Sequence, residues 1–250
     1  MDIKTDFEDG HFASEYGKLH YVHHGGSGPA IVFLHGFAGS LKSWTRLMHY
    51  LPSDLDVYAV DLLGHGESDA PDADYSLKMH YETIRELVED RKLESPYLFG
   101  HSYGGWIAMH YALEEKAGGL ILEDSVGLAE FAYERNAQDP GYREEVVKKA
   151  LRLNPREGVL KKMIYADNTD VLLTPGILGG IEARTLIIWG GEDSTVDIKY
   201  AKEFNRSIRG SRLVVLDGER HTPHYTNPEA VAKALIDFFG CFQALTPFSR

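Results

Sequence analysis

Short runs of consecutive apolar residues recur along this chain, separated by longer stretches whose apolar residues fall at helical spacing. A strand with one wet face alternates apolar and polar residues, so an unbroken run implies cover on both faces. Strands are predicted at 19–23, 30–34, 56–60, 97–100, 119–123, 185–189 and 212–216. Between them, residues 75–93 place Leu77, Tyr81, Ile84, Leu87 and Val88 on one helical stripe. Near the end, Asn227-Pro228 reads as a helix cap followed by proline at the first helical position. Val231, Leu235, Phe238 and Phe239 then line one face. Alternation of this kind dictates an α/β fold, a mostly parallel sheet flanked by helices.

One stretch breaks the rhythm. About sixty residues between 123 and 185 carry helical patterns and no strand run, too long for a structureless loop. Helices are expected near 128–136, 141–153 and 157–166, punctuated by Pro140, Pro155 and Pro175. The expected organisation is a core of residues 1–126 and 183–250 carrying a small helical cap insertion at 127–182. With eight basic and nine acidic residues from Leu128 to Glu182, the insertion is nearly neutral. Arg143, Lys148, Lys149 and Arg152 are read as a solvated helix face rather than an anion-binding lid.

The whole chain is acidic, with 26 Lys+Arg against 38 Asp+Glu in 250 residues, a net charge of −12. That balance argues against nucleic acid or anionic lipid as the main partner. The longest apolar runs are strand-sized, far below the roughly 20 residues of a membrane helix. The single cysteine, Cys241, excludes an intramolecular disulfide. With no apolar segment in the acidic N-terminus, the expectation is a cytoplasmic chain without a membrane partner.

Chemistry enters at Gly100-His101-Ser102-Tyr103-Gly104, a Gly-x-Ser-x-Gly pattern. In a tight strand-to-helix turn such a serine lifts its hydroxyl above the sheet, and the flanking glycines remove steric collisions. The pattern arises by chance in about one such chain in seven, so its weight comes from the strand before it and the helical 106–113 after it. A nucleophilic serine needs a base, and the base an orienting acid. Among 12 histidines position must decide, and sites in parallel sheets form at the C-terminal ends of strands. His221 follows the last strand across a loop with Gly218. Asp193 follows 185–189 through Gly190-Gly191-Glu192.

Together these segments resemble the α/β-hydrolase superfamily, in its small cap-bearing esterase-like branch. The resemblance rests on His35-Gly36-Phe37-Ala38-Gly39, Asp61-Leu62-Leu63-Gly64-His65-Gly66-Glu67-Ser68, the segment around Ser102, Gly190-Gly191-Glu192-Asp193, and His221 followed by Asn227-Pro228-Glu229. It implies a sheet of about eight strands, a triad of Ser102, Asp193 and His221, and an oxyanion hole from the backbone N–H groups of Phe37 and Tyr103. The implied activity is a carboxylesterase acting on small to medium acyl esters, with no cofactor and no metal. A serine at the elbow argues against dehalogenase and epoxide hydrolase chemistry. A carbon–carbon hydrolase, thioesterase or aminopeptidase remains open, as does a ligand receptor with little turnover.

Several other residues compete for these roles. His224 rivals His221, and Asp124, with Glu123 and Glu192 as neighbours, rivals Asp193. His35, His65 and Asp61 are read as structural loop residues, and His101 as a brace for the elbow. His23-His24 matches no zinc spacing, and Gly25-Gly26-Ser27-Gly28 precedes a strand, so it reads as a turn. The tail from Cys241 to Arg250, with Phe242, Leu245 and Phe248, has no assignment.

Overall fold

The structure, a computed structural model, describes residues 7–138 and 141–243. Eight strands form one sheet: β1 (Glu8–Ala13), β2 (Lys18–His24), β3 (Ala30–Leu34), β4 (Asp56–Val60), β5 (Tyr97–His101), β6 (Gly119–Glu123), β7 (Thr185–Gly190) and β8 (Arg212–Leu216). Their spatial order is β1-β2-β4-β3-β5-β6-β7-β8. β2 pairs antiparallel with β1 and β4, and every pair from β4 to β8 is parallel.

β1 is a strand that apolar patterning does not predict. It is a polar edge strand in which only Phe12 is buried, and its partner β2 defines it through the ladder rather than through any apolar run.

The unbroken apolar runs divide by parity. Val32, Leu34, Leu98, Leu120, Leu122, Ile187 and Trp189 face one side of the sheet. Ile31, Phe33, Phe99, Ile121, Leu186 and Ile188 face the other. The helices in chain order are α1 (Thr45–Met48), α2 (Leu77–Asp90), α3 (Tyr103–Glu114), α4 (Ala129–Gln138), α5 (Tyr142–Ala150), α6 (Glu157–Tyr165), α7 (Pro175–Leu178), α8 (Ile198–Ser207), α9 (Pro223–Thr226) and α10 (Pro228–Gln243). α2, α3 and α8 cover the first face and α1 and α10 the second, so both layers of apolar side chains leave water. α2 starts at Leu77, after the predicted Tyr75, because Tyr75 has φ +55° and Ser76 caps the helix through the Met79 N–H. At α10, Asn227 Oδ1 accepts the Ala230 N–H at 3.3 Å.

The long segment between β6 and β7 holds α4 to α7. Its two ends are stitched by Ala129 N–H to the Leu173 carbonyl and Leu173 N–H to the Gly127 carbonyl, both 2.9 Å. Val147 and Ala150 of α5 and Leu160 of α6 pack on Ala38 and Phe37, in the loop after β3. The Asn154 amide donates to the Gly64 carbonyl at 3.0 Å, and Trp106 of α3 donates its indole N–H to the Val171 carbonyl at 3.0 Å. The segment is thus fastened at the C-terminal ends of β3, β4 and β5. Among the described residues, no helix is long and apolar enough to cross a membrane. Of the tail, residues 241–243 end α10, while 244–250, with Leu245 and Phe248, lie outside the described residues.

Candidate active site

Ser102 sits between β5 and α3 with φ 52° and ψ −112°, a conformation that costs a non-glycine residue about 1–3 kcal/mol. The surroundings hold it there. Its N–H donates to the Glu123 carbonyl at 2.9 Å, and its carbonyl accepts the Val126 N–H at 3.2 Å. A side chain at Gly104 is sterically impossible, because a Cβ would stand 2.1 Å from the Leu34 carbonyl oxygen. The glycine therefore lets α3 begin directly against β3, leaving the serine side chain at the sheet's C-terminal edge.

His221 and Asp193 come from the next two loops. β7 ends at Gly190, where a Cβ would lie 2.1 Å from the Arg220 carbonyl oxygen, so only glycine lets the histidine loop cross here. The Glu192 N–H donates to the Glu219 carbonyl at 2.8 Å, joining the two loops. As a result His221 Nδ1 lies 2.7 Å from Asp193 Oδ2, and Nε2 lies 3.1 Å from Ser102 Oγ. With the ionised carboxylate accepting, Nδ1 carries the proton and Nε2 is free to accept the serine hydroxyl. Asp193 Oδ1 also accepts the N–H groups of Thr195 and Val196 at 2.7 and 3.1 Å. Ser102 and Asp193 are each 8% exposed, whereas the His221 side chain is 22% exposed, so the site opens to solvent at the histidine.

The loop after β3 runs beside the serine. At Gly36 a Cβ would come 3.1 Å from Ser102 Cβ, so the loop that carries Phe37 lies against the nucleophile's residue. Tyr103 opens α3, where N–H groups have no partner within the helix.

His35 holds this loop. Its Nδ1 donates to the Gly36 carbonyl at 2.8 Å and its Nε2 accepts the Leu62 N–H at 3.0 Å. Burial pushes its pKa down, which keeps it neutral. Asp61 accepts the Leu41 and Glu67 N–H groups at 2.7 and 2.9 Å and a His20 ring N–H at 2.7 Å. Burial alone would raise its carboxyl, yet these donors hold it below its ordinary value. His65 meets the Leu63 carbonyl at 3.1 Å. None of these side chains bonds to the serine hydroxyl.

The rivals have other partners. His224 is fully buried, with its backbone N–H and its Nδ1–H both donated to the Glu123 carboxylate, and its ring packs 4.2 Å from that of Trp44. His101 donates Nε2–H to the His221 carbonyl at 2.7 Å, so it braces the histidine loop. Burial, reinforced by His224 and His221, pushes the His101 pKa well down. Asp124 lies buried behind Asp193, and Glu192 is exposed. Pairing of Glu123 with His224 is a feature sequence analysis does not reach. Its only signal is an acidic side chain closing an apolar strand, which demands a buried partner.

Two triplets of possible metal ligands converge, His101–Asp124–His221 and His101–Glu123–His224, with ligand atoms within 4.8 Å of one another. The second is closed by its own hydrogen bonds, since Glu123 is already taken by His224. In the first, the His221 nitrogens face Asp193 and Ser102. His23, of the His23-His24 pair, bonds Asp56 at 2.7 Å instead.

The chain is similar to several known proteins. The chain is 25% identical over 262 residues to an uncharacterized protein of Mycobacterium tuberculosis, spanning 87% of this chain and 77% of that one. It is 25% identical over 284 residues to monoacylglycerol lipase abhd6-B of Xenopus laevis, spanning 92% of this chain and 82% of the lipase. The crystal structure of a membrane phospholipase A shares the fold, with a TM-score of 0.82 at 21% identity over 95% of this chain and 87% of that one. The alpha/beta hydrolase family itself matches residues 31–234, from the second residue of β3 through β8, and includes all three side chains of the hydrogen-bonded chain at Ser102. The protein therefore belongs to the alpha/beta hydrolase family.

Proposed function

We propose that this protein is a serine hydrolase that cleaves carboxylic esters of small to medium acyl groups through an acyl-enzyme on Ser102. The observation that carries this is the continuous line of hydrogen bonds from Asp193 through His221 to Ser102. Ser102 Oγ attacks the ester carbonyl as His221 Nε2 takes its proton, and Asp193 orients the ring and stabilises the imidazolium. The oxygen that becomes negative is received by the N–H groups of Phe37 and Tyr103, each such donor contributing about 2.7–4 kcal/mol in comparable sites. His221 then protonates the departing alkoxide as the ester C–O bond breaks. In the second half-reaction water attacks the acyl-enzyme, giving its proton to the same nitrogen, and the acid and Ser102 are released. These steps use side chains, main-chain N–H groups and water alone.

Residues 127–182 serve as the cap. Packing of Val147, Ala150 and Leu160 from this segment against Ala38 and Phe37 supports a role in bounding the acyl site. Similarity to a lipase that cleaves monoacylglycerols supports an ester substrate.

The test is hydrolysis of p-nitrophenyl esters from acetate to long-chain acyl groups, with Ser102→Ala in parallel. The expected result is release that peaks at short or medium chains and vanishes in the variant. A folded wild-type protein that hydrolyses none of the series would overturn the esterase reading and direct attention to carbon–carbon, thioester or amide substrates.

A further inference from the structure

Behind Asp193 stands a second carboxyl that the steps above leave unused. Asp124 follows β6 with φ +46° and is completely buried. Its carboxyl is a neighbour of the Asp193 carboxyl, and one of its oxygens lies within 4.8 Å of ring nitrogens of both His101 and His221. The titratable groups facing it are Glu123 of β6, His101 of β5, Asp193 after β7 and His221 after β8.

Counting donors tells the two carboxyls apart. Asp193 accepts three: the Thr195 and Val196 N–H groups and the His221 ring N–H. Donors on both oxygens of a carboxyl favour its charged form. Asp124 Oδ1 accepts only the Gly190 N–H, at 2.9 Å, while the buried Oδ2 meets no donor. A buried, ionised oxygen without a donor is costly, and two ionised carboxylates in contact repel. A proton on Asp124 removes both penalties and supplies a donor aimed at its neighbour.

We propose that Asp124 is the protonated partner of Asp193, donating its carboxyl O–H to the Asp193 carboxylate so that the pair holds one proton and one negative charge behind His221. Asp124 is then a positioning residue. Its hydrogen bond fixes the Asp193 carboxylate against the imidazole and draws off part of its charge, and its chemical effect reaches substrate only through His221. Burial, with the charges of Glu123 and Asp193 adding to it, pushes the Asp124 carboxyl up to about 10, in keeping with a proton held at neutral pH. The catalytic consequence rests on the triad proposed above, whereas the shared proton does not.

Infrared spectroscopy of the full chain separates the two. The wild type minus Asp124→Asn difference spectrum at neutral pH is expected to show the carbonyl stretch of an un-ionised carboxylic acid. Asparagine accepts the Gly190 N–H and donates an N–H to Asp193, and it tolerates positive φ, so ester turnover should stay within about threefold of wild type. Asp124→Leu lacks the donor, leaves Asp193 more basic, and should move the acid limb of kcat/KM up by about one pH unit. A difference spectrum showing only ionised carboxylate would overturn the proposal. So would an acid limb that moves down in Asp124→Asn, the mark of a negative charge removed. Absence of ester turnover in the wild type would refute the function proposed above, while the infrared band still decides the proton.

Discussion

His221→Ala is expected to lower kcat for ester hydrolysis about 10⁶-fold, and Asp193→Asn about 10⁴-fold. The difference follows from what each side chain does. Without His221, nothing within reach of Ser102 Oγ takes its proton, because His101 gives Nε2–H to a carbonyl and His224 is bound to Glu123. Without the Asp193 charge, the imidazole remains but loses the acceptor that fixes its tautomer at 2.7 Å. In the proposed mechanism the three side chains act as one device, so the double variant Ser102→Ala/His221→Ala should lose no more than either single variant. Residual activity, about 10³–10⁴ above the reaction in water, is then assigned to the proposed oxyanion donors and substrate binding. Stopped-flow or extended steady-state assays measure these ratios. Losses that add between Ser102 and His221 would mean that the two act independently. His224→Gln is the control, since breaking a buried pair costs about 3–5 kcal/mol of stability and should touch turnover far less than His221→Ala.

The second large effect concerns acid. Burial keeps His35, His65, His80, His101 and His110 below the ordinary histidine pKa, His80 down to about 3. In the folded chain they refuse protons that the unfolded chain takes up near pH 6.5. Their contribution is therefore present in full above that pH and is lost as pH falls toward the folded values. Each group contributes a slope of up to about 1.4 kcal/mol per pH unit. His20 and Asp124 act in the opposite sense: Asp61 and Asp9 outweigh burial and raise the His20 pKa, and burial with neighbouring charge raises that of Asp124, so both contribute stability that is lost as pH rises. Below about pH 6.5 the five depressed histidines outnumber the groups of opposite sign, so stability should fall with pH, against a total of about 5–15 kcal/mol. Urea unfolding between pH 8 and 4.5 should show stability falling as pH drops below about 6. His80→Leu should flatten the slope by one group's share, since neither nitrogen of that ring has a partner to lose. Equal stability at pH 7 and pH 5 would refute this.

Much of the fold is legible in the sequence because the sheet is buried on both faces. β3, β4, β6 and β8 have the bounds their apolar runs predict. β1 is not legible, because an edge strand with one buried residue is specified by its neighbour. The turn at Tyr75 is likewise silent, since positive φ in a tyrosine comes from tertiary context. At the site, Ser102, Asp193 and His221 can be singled out because each follows a predicted strand, and the sheet order then sets β5, β6, β7 and β8 side by side. What the sequence cannot rank is the second set of similar side chains. Glu123, Asp124, His101 and His224 occupy the same strand ends, and their roles depend on which partner lies across the sheet. Glu123 meets His224 across 101 residues of chain, a pairing no local pattern encodes.

The most direct test of the central claim, a nucleophilic Ser102, is covalent labelling with a fluorophosphonate, read by peptide mass spectrometry alongside ester turnover. A nucleophilic Ser102 predicts one adduct per chain, on the peptide containing Ser102, with activity falling in step with labelling and no adduct in His221→Ala. Turnover that survives complete modification of Ser102, or a folded, active protein that takes the label at another residue, would contradict it.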